Sequence, residues 1–273
     1  MRTVISASRR TDIPAFYLDW FLERIYQGYV LVRNPFYPSQ ISKVSLKKSD
    51  VHSIVFWSKD FSYFLKKSDE FVDYNLFFIF TINSESIWEP NVVKLDKRLD
   101  QLENLVEIYG PEFIEYRFDP IVLWYQDDEI TDNLGSFYDI IDKVSELGIN
   151  NCVINFVDWY RKSVLRAKKY GLRYYDPPLK EKIEIIRPLA LYCKNRGIKM
   201  YSCCKPELTV VENVYPSKCI DGEKLSRLFH EKCSTAKAST RENCGCTKSK
   251  DIGDYREQIC KHACIYCYAH PLI

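Results

Sequence analysis

The chain has 273 residues, of which 46% are hydrophobic and 28% are charged, so it can bury a substantial core. Its 39 basic and 37 acidic side chains leave a formal net charge of +2, and nothing global indicates binding to nucleic acid. Residues 1–14 carry charges where a signal peptide needs an unbroken apolar core, and no segment approaches the length of a membrane span. We therefore expect a cytoplasmic protein without membrane contact.

Short β-rich apolar runs alternate with amphipathic stretches along the chain, which is typical of a mostly parallel sheet with helices between its strands. No glycine-rich dinucleotide fingerprint follows the first strand, so the pattern favours a TIM-like (βα) barrel, complete or incomplete, over residues 1–202. The predicted strands are residues 4–6, 29–32, 53–57, 76–82, 113–118, 152–157 and 199–202, with a short eighth at 208–211. The predicted helices are residues 14–26, 59–67, 95–109, 134–147, 163–170, 179–196 and 222–230, the first capped by Thr11 or Asp12 and ended by Gly28.

Cysteines are concentrated near the C-terminus: nine of the eleven lie beyond position 202. A chain with a real core does not need disulfides to fold, and clustered thiols in a reducing compartment are typically metal ligands. We therefore interpret residues 203–273 as a cysteine-rich, metal-organised extension packed on the barrel.

Three of these cysteines, Cys260, Cys264 and Cys267, lie within eight residues of each other. Thiolates are the ligands that iron-sulfur clusters require, and three local ligands would leave one iron of a four-iron cluster open to a non-protein ligand. The spacing, with an aromatic residue before the last cysteine, is that of radical-SAM enzymes. Structural zinc is the alternative for the same pattern.

A second four-thiolate site is predicted on Cys203, Cys219, Cys244 and Cys246, with Cys204 as an alternative to Cys203. Glycine between the last two ligands allows the backbone to turn sharply. Such a closed site would be structural or electron-relaying, and either an iron-sulfur cluster or zinc fits it. Buried, unliganded thiols are the other interpretation.

Polar residues follow several predicted strands, at the end where barrel enzymes place their active sites. We predict catalytic roles for some of them, and binding of S-adenosylmethionine or of an anionic substrate by others, because arginine side chains attract carboxylates and phosphates. For each residue singly, a helix cap, a turn or a salt bridge is the alternative. The predicted catalytic residues are Arg10, Asp12, Lys59, Arg117, Asp119 and Asp158, and the predicted cofactor-binding residues are Arg9, Arg33, Asn34 and Tyr266.

Four stretches of sequence together resemble one bacterial family, the domain-of-unknown-function 1848 family. They are residues 5–15 (Ile-Ser-Ala-Ser-Arg-Arg-Thr-Asp-Ile-Pro-Ala), 30–35 (Val-Leu-Val-Arg-Asn-Pro), 55–59 (Val-Phe-Trp-Ser-Lys) and 244–269, with its Cys-Gly-Cys, Asp-Ile-Gly-Asp-Tyr and Cys-Tyr-Ala segments. The resemblance implies a C-terminal cysteine cluster like the one near the N-terminus of radical-SAM proteins, on Cys260, Cys264 and Cys267. The remaining four predicted ligands match the family's other cysteines. In ordinary radical-SAM enzymes the triad instead follows the first barrel strand, and a glycine-rich motif follows the second.

Three functions fit these observations. In the first, a reduced cluster cleaves S-adenosylmethionine, a ferredoxin or flavodoxin supplies the electron, and a small-molecule substrate lies over the barrel. In the second, both cysteine sets are saturated, with Cys233 or a histidine completing the triad, and the protein transfers electrons or is not catalytic. In the third, zinc stabilises a hydrolase or nucleic-acid repair protein in which Asp12, Asp119 or Asp158 performs acid-base catalysis.

Overall fold

An eight-stranded parallel sheet forms the centre of the computed structural model, which describes residues 1–238 and 243–269. Strand order along the sheet is β12-β11-β9-β6-β5-β4-β1-β13, so that neighbouring strands follow chain order except that the last strand pairs with the first. Its strands are β1 (Thr3–Ala7), β4 (Val51–Ser58), β5 (Leu76–Thr81), β6 (Ile114–Ile121), β9 (Asn151–Phe156), β11 (Lys199–Ser202), β12 (Val214–Pro216) and β13 (Lys250–Asp251). Two of these strands come from residues beyond 202.

Most of the helices cover one face of the sheet. Leu102, Ile141 and Leu189, from three different helices, pack there with strand residues such as Phe56 and Phe78 in the main core. The opposite face is covered by residues from the segments 203–238 and 243–246, whose cysteines pack with strand residues such as Val55, Phe77 and Val153. The helices are α1 (Ile13–Phe16), α2 (Leu18–Gln27), α3 (Ser62–Leu65), α4 (Leu95–Tyr109), α5 (Phe137–Glu146), α6 (Arg161–Lys169), α7 (Leu179–Asn195) and α8 (Gly222–Leu228).

Predicted strand 29–32 does not belong to the main sheet. It is β2 (Tyr29–Arg33), which pairs only with β3 (Ile41–Ser45) as an antiparallel hairpin among the described residues. Val30 and Val44 of this hairpin are buried in the core, whereas Leu31 is exposed. The hairpin therefore buries only one of its two faces. A second antiparallel group consists of β7 (Leu123–Gln126), β8 (Glu129–Asp132) and β10 (Arg173–Tyr175).

Three further predictions need correction. The single helix predicted at residues 14–26 is broken at Tyr17 into α1 and α2, although Asp12 caps the first and left-handed Gly28 ends the second, as expected. The helix predicted at 59–67 shrinks to the single turn of α3. The strand predicted at 208–211 is part of a 3-10 helix, Pro206–Val210, because proline favours the start of such a turn.

The predicted barrel is observed as a large α/β sheet. Its edge strands, β12 and β13, are not hydrogen-bonded to each other in the part of the chain that the structure describes, so a closed barrel is not formed. No helix within the described ranges is long and apolar enough to cross a bilayer.

Candidate functional site

Asp12 joins the ends of two neighbouring strands to the C-terminal segment. Its carboxylate accepts hydrogen bonds from the Ser58 hydroxyl at 2.7 and 2.9 Å and from the Lys59 backbone N–H at 2.9 Å. It also caps α1, and it pairs with His262 Nε2 at 2.9 Å. The predicted cap and the predicted site residue are therefore the same buried carboxylate, which orients the triad segment.

Lys59 and Tyr266 meet at a buried carboxylate that sequence reasoning missed. Lys59 Nζ lies 2.9 Å from Glu89 Oε1, which also accepts hydrogen bonds from Asn83 Nδ2 at 2.6 Å and from the Tyr266 hydroxyl. Burial alone would raise the pKa of Glu89, but Lys59 and Tyr266 outweigh it and the pKa is lowered. Glu89 is thus an ionised acceptor that holds Tyr266, which lies between Cys264 and Cys267.

The triad lies on a tight loop without regular secondary structure. Cys267 N–H bonds to the Cys264 carbonyl at 3.0 Å, and Ile265 N–H bonds to the Trp88 carbonyl at 2.9 Å. Arg166 Nη1 donates to the carbonyls of Ile265 at 2.8 Å and Cys267 at 3.1 Å. A backbone bond to Trp88 and side-chain bonds from Arg166 therefore hold the loop in place.

The surroundings of this loop favour the neutral thiol over the thiolate form of its cysteines. Burial, with a smaller contribution from the charge of Asp12, raises the pKa of Cys260 to about 12. Burial and the Glu89 charge raise the pKa of Cys264 well above its ordinary value. The charge of a Cys267 thiolate adds to both shifts. A bound cation would reverse this balance.

The three predicted arginines near the N-terminus bind the C-terminal segment of the chain itself. Arg9 and Arg10 lie 3.6 and 3.7 Å from the Asp251 carboxylate, and Arg10 Nη1 also donates to the Gly253 carbonyl. Arg33 pairs with Asp254 at 3.5 Å and with Glu257 at 3.8 Å. These side chains therefore position residues 251–257.

Asn34 does not join this group, because its side chain closes the β2–β3 turn through bonds to Gln40 and to the backbone N–H groups of Phe36 and Tyr37. It is a turn residue in this structure, and its cofactor-binding role stays a prediction.

Arg117 and Asp119 lie within β6 and meet the second set of cysteines. Arg117 Nη1 donates to Cys219 Sγ at 3.1 Å, and Nη2 pairs with Asp119 at 2.5 Å. Burial lowers the pKa of Arg117, but the Cys219 sulfur and Asp119 outweigh it, so the guanidinium stays charged. Cys219 Sγ lies 3.4 Å from Cys203 Sγ. Hydrogen bonds from Cys203 and Cys246 lower the pKa of Cys219.

Asp158 belongs to a separate cleft of about 450 Å³ at the ends of β9 and β11. It pairs with Lys205 at 2.5 Å, and Asp176 pairs with Lys182 at 2.7 Å. Tyr160 connects this cleft to the triad, since its ring lies 6.1 Å from that of Tyr268, the residue after Cys267. The lining residues are Val157, Asp158, Trp159, Tyr160, Asp176, Lys182, Cys204 and Lys205.

The structure thus separates the predicted residues into groups. Asp12, Lys59 and Tyr266 surround the triad, Arg117 and Asp119 meet the second cysteine set, and Asp158 lines the cleft. As they stand, no group of three or more His, Cys, Asp or Glu side chains in residues 1–238 and 243–269 is arranged to hold a metal ion.

A family model described as a domain of unknown function (DUF1848) matches residues 4–269, nearly the whole chain. The chain belongs to this family. No match is found among the curated proteins. The family description assigns no activity, so any function must be argued from the site.

Proposed function

We propose that the chain holds a four-iron iron-sulfur cluster on Cys260, Cys264 and Cys267 and acts as a radical-SAM-like enzyme on a small molecule. The observation that carries this proposal is the triad loop, with three neighbouring thiols on a segment clamped by Arg166, Trp88 and Glu89 at the carboxyl edge of the sheet. Thiolates are the donors that such a cluster needs, and its iron ions would stabilise them in this buried loop.

Three ligands leave an iron of the cluster available to a small molecule, provided that the chain supplies no fourth. Two candidate fourth ligands are already engaged. His262 Nε2 bonds to Asp12 at 2.9 Å, and Cys233 Sγ donates to the Gly222 carbonyl at 3.3 Å. This arrangement favours the enzyme over a saturated electron-transfer or non-catalytic protein.

When bound and reduced, a cluster of this kind supplies the electron that cleaves S-adenosylmethionine to a carbon radical. The side chains around the triad have supporting roles. Lys59 and Glu89 hold Tyr266, and Asp12 holds His262, so these polar residues orient the loop rather than act on substrate. We assign substrate binding to the cleft next to Tyr268, whose two lysine–aspartate pairs suit a ligand with both positive and negative groups.

Most helices lie on one face of the sheet, and the strands are arranged almost in chain order. Both features also support an incompletely closed (βα) barrel as the scaffold. In a barrel, the carboxyl ends of β1, β4, β5 and β6 form the mouth. Asp12, Lys59 and Asn83 all follow such ends, and their bonds to the triad segment and to Glu89 support a position of the triad loop over the mouth. The electron donor would be a ferredoxin or flavodoxin in the cytoplasm.

The zinc-hydrolase alternative is less well supported. Asp12 accepts hydrogen bonds from Ser58, from the Lys59 and Ala15 backbone N–H groups and from His262, which leaves little capacity to accept a substrate proton. Asp119 is engaged by Arg117.

The test is anaerobic purification followed by iron and sulfide analysis, with electron paramagnetic resonance of the reduced protein before and after S-adenosylmethionine is added. We expect a four-iron signal that S-adenosylmethionine perturbs. A cluster signal that the cofactor leaves unchanged would favour electron transfer instead. Protein with zinc and no sulfide would refute the cluster.

A further inference from the structure

Four cysteines from three separate parts of the chain meet on the sheet face opposite the helices. Cys203 follows β11, Cys219 follows β12, and Cys244 and Cys246 flank a glycine farther along the extension. Each is between 2% and 7% exposed. Cys203 contacts Cys219, Cys219 contacts Cys246, and Cys246 contacts Cys244, so the sulfurs form a continuous group.

These contacts are not those of ordinary core thiols. Cys203 and Cys219 sulfurs are 3.4 Å apart, far longer than the roughly 2.05 Å of a disulfide bond. Arg117 is buried and donates from Nη1 to Cys219 Sγ at 3.1 Å, while its Nη2 pairs with Asp119, so one cationic donor is directed at this sulfur.

Sulfur spacing discriminates between the metals. Around one tetrahedral zinc with Zn–S bonds of about 2.3 Å, ligand sulfurs lie about 3.8 Å apart, along the edges of the tetrahedron. In a four-iron cluster each thiolate binds a different iron, so the ligand sulfurs are held apart by the cluster and cannot touch. The observed 3.4 Å separation between the Cys203 and Cys219 sulfurs is close to the zinc value and much shorter than a four-iron cluster would hold between two of its ligands.

We infer that Cys203, Cys219, Cys244 and Cys246 form a closed, mononuclear tetrathiolate zinc site that fastens the extension to the sheet. Zinc draws the four sulfurs from their present chain of contacts into a tetrahedron. Four thiolates and one zinc carry two negative charges, which the buried guanidinium of Arg117 beside Cys219 partly offsets. This site rests on the sulfur contacts alone and does not depend on the proposed triad cluster.

Such a site explains how the extension is held without disulfides. It ties the end of β11 to the loop before α8, where Asp221 caps the helix and Thr247 Oγ1 accepts a hydrogen bond from Gly222 N–H at 2.9 Å. Cys204 lies 3.8 Å from Cys203 but is partly exposed and lines the cleft, so we exclude it from the ligand set. Cys233 bonds to Gly222 and Ser226 and is excluded as well.

The experiment uses full-length protein produced with both iron and zinc supplied, followed by elemental analysis. We expect about one zinc per chain. Cys219→Ser should lose it, whereas the matched controls Cys204→Ala and Cys233→Ala should retain it. Cys264→Ser should also retain zinc while it loses iron and sulfide, which separates this site from the triad. Zinc retained in Cys219→Ser, or zinc lost in both controls, would overturn the assignment.

X-ray absorption at the zinc edge of the unmutated protein keeps the inference testable if Cys219→Ser does not fold. Four sulfur neighbours at about 2.3 Å are expected. Nitrogen or oxygen ligands in the first shell, or iron with iron neighbours in a protein that lacks the triad cysteines, would contradict the inference.

Discussion

Replacement of Lys59 by methionine should expose how much the triad loop depends on the buried carboxylate beneath it. Lys59 Nζ is 2.9 Å from Glu89 Oε1, and the Glu89 side chain is only 2% exposed. At an effective dielectric constant of about 20, this separation corresponds to an attraction of about 6 kcal/mol. The desolvation of Lys59 offsets part of that energy, and Asn83 and Tyr266 still bond to Glu89 in the variant. We therefore expect Lys59→Met to lower the free energy of unfolding by about 3 kcal/mol.

The decrease in the free energy of unfolding caused by Lys59→Met should depend on pH. In the unmutated protein the pKa of Glu89 is lowered, so its contribution to stability is present at neutral pH and fades as the pH falls through the folded-state pKa. Without Lys59, burial is less opposed and the Glu89 pKa rises, so the variant should instead lose stability as the pH rises. The difference between the two proteins should therefore grow from acid to neutral pH.

Anaerobic urea unfolding followed by tryptophan fluorescence measures this effect, since Trp88 adjoins Glu89. The double variant Lys59→Met/Glu89→Gln should recover most of the loss, because a neutral amide needs no cation. Lys97→Met is the matched control: its ion pair with Asp100 is exposed, and its loss should cost under about 0.5 kcal/mol. If Lys59→Met matched this control, or if the double variant were no better than the single one, the reasoning would fail.

Three further predictions concern the loop, the sheet face and the β1 edge. Arg166→Met should reduce the iron content of anaerobically prepared protein severalfold, because it frees the triad-loop carbonyls, whereas Arg187→Met on the exposed face of α7 should not. Burial raises the pKa of Glu115 to about 7, so the free energy of unfolding falls by on the order of 3 kcal/mol as the pH rises from about 4.5 to 7. Glu115→Gln should lack this pH-dependent decrease. Equal pH profiles for both proteins in urea unfolding would contradict this prediction. Gly253→Ala would place its Cβ 2.1 Å from a serine oxygen and should cost about 1–3 kcal/mol by thermal or urea unfolding, while Gly135→Ala, with no atom within 4 Å, should be neutral.

Most of the fold could be predicted from local patterns. Strands buried on both faces are nearly continuous apolar runs, and β5 (Leu-Phe-Phe-Ile-Phe-Thr) is therefore recognisable without its neighbours. The placement of β2 could not be predicted, because an apolar run does not specify whether its partner is a distant parallel strand or the next segment along the chain. The pairing of β13 with β1 joins residues about 245 positions apart, and a two-residue strand has no periodicity to detect.

The candidate site was only partly predictable for the same reason. Cysteine spacing is a local signal, so the triad and the neighbouring pair were found directly. The role of Glu89 depends on a hydrogen bond to Tyr266, 177 positions away, and nothing in the local sequence indicates it. An arginine that follows a strand can bind an external anion or a carboxylate of its own chain, and the structure pairs Arg9, Arg10 and Arg33 with carboxylates from residues 251–257. Sequence alone cannot distinguish these two outcomes.

Mössbauer spectroscopy of protein reconstituted anaerobically with isotopically enriched iron tests the proposed triad cluster most directly. The proposal predicts a four-iron cluster in the unmutated protein and in Cys193→Ala, which alters a buried thiol of the main core. Cys264→Ser should lose that spectrum. A cluster that persists unchanged in Cys264→Ser, or that never forms in the unmutated protein, would contradict the proposed iron-sulfur site.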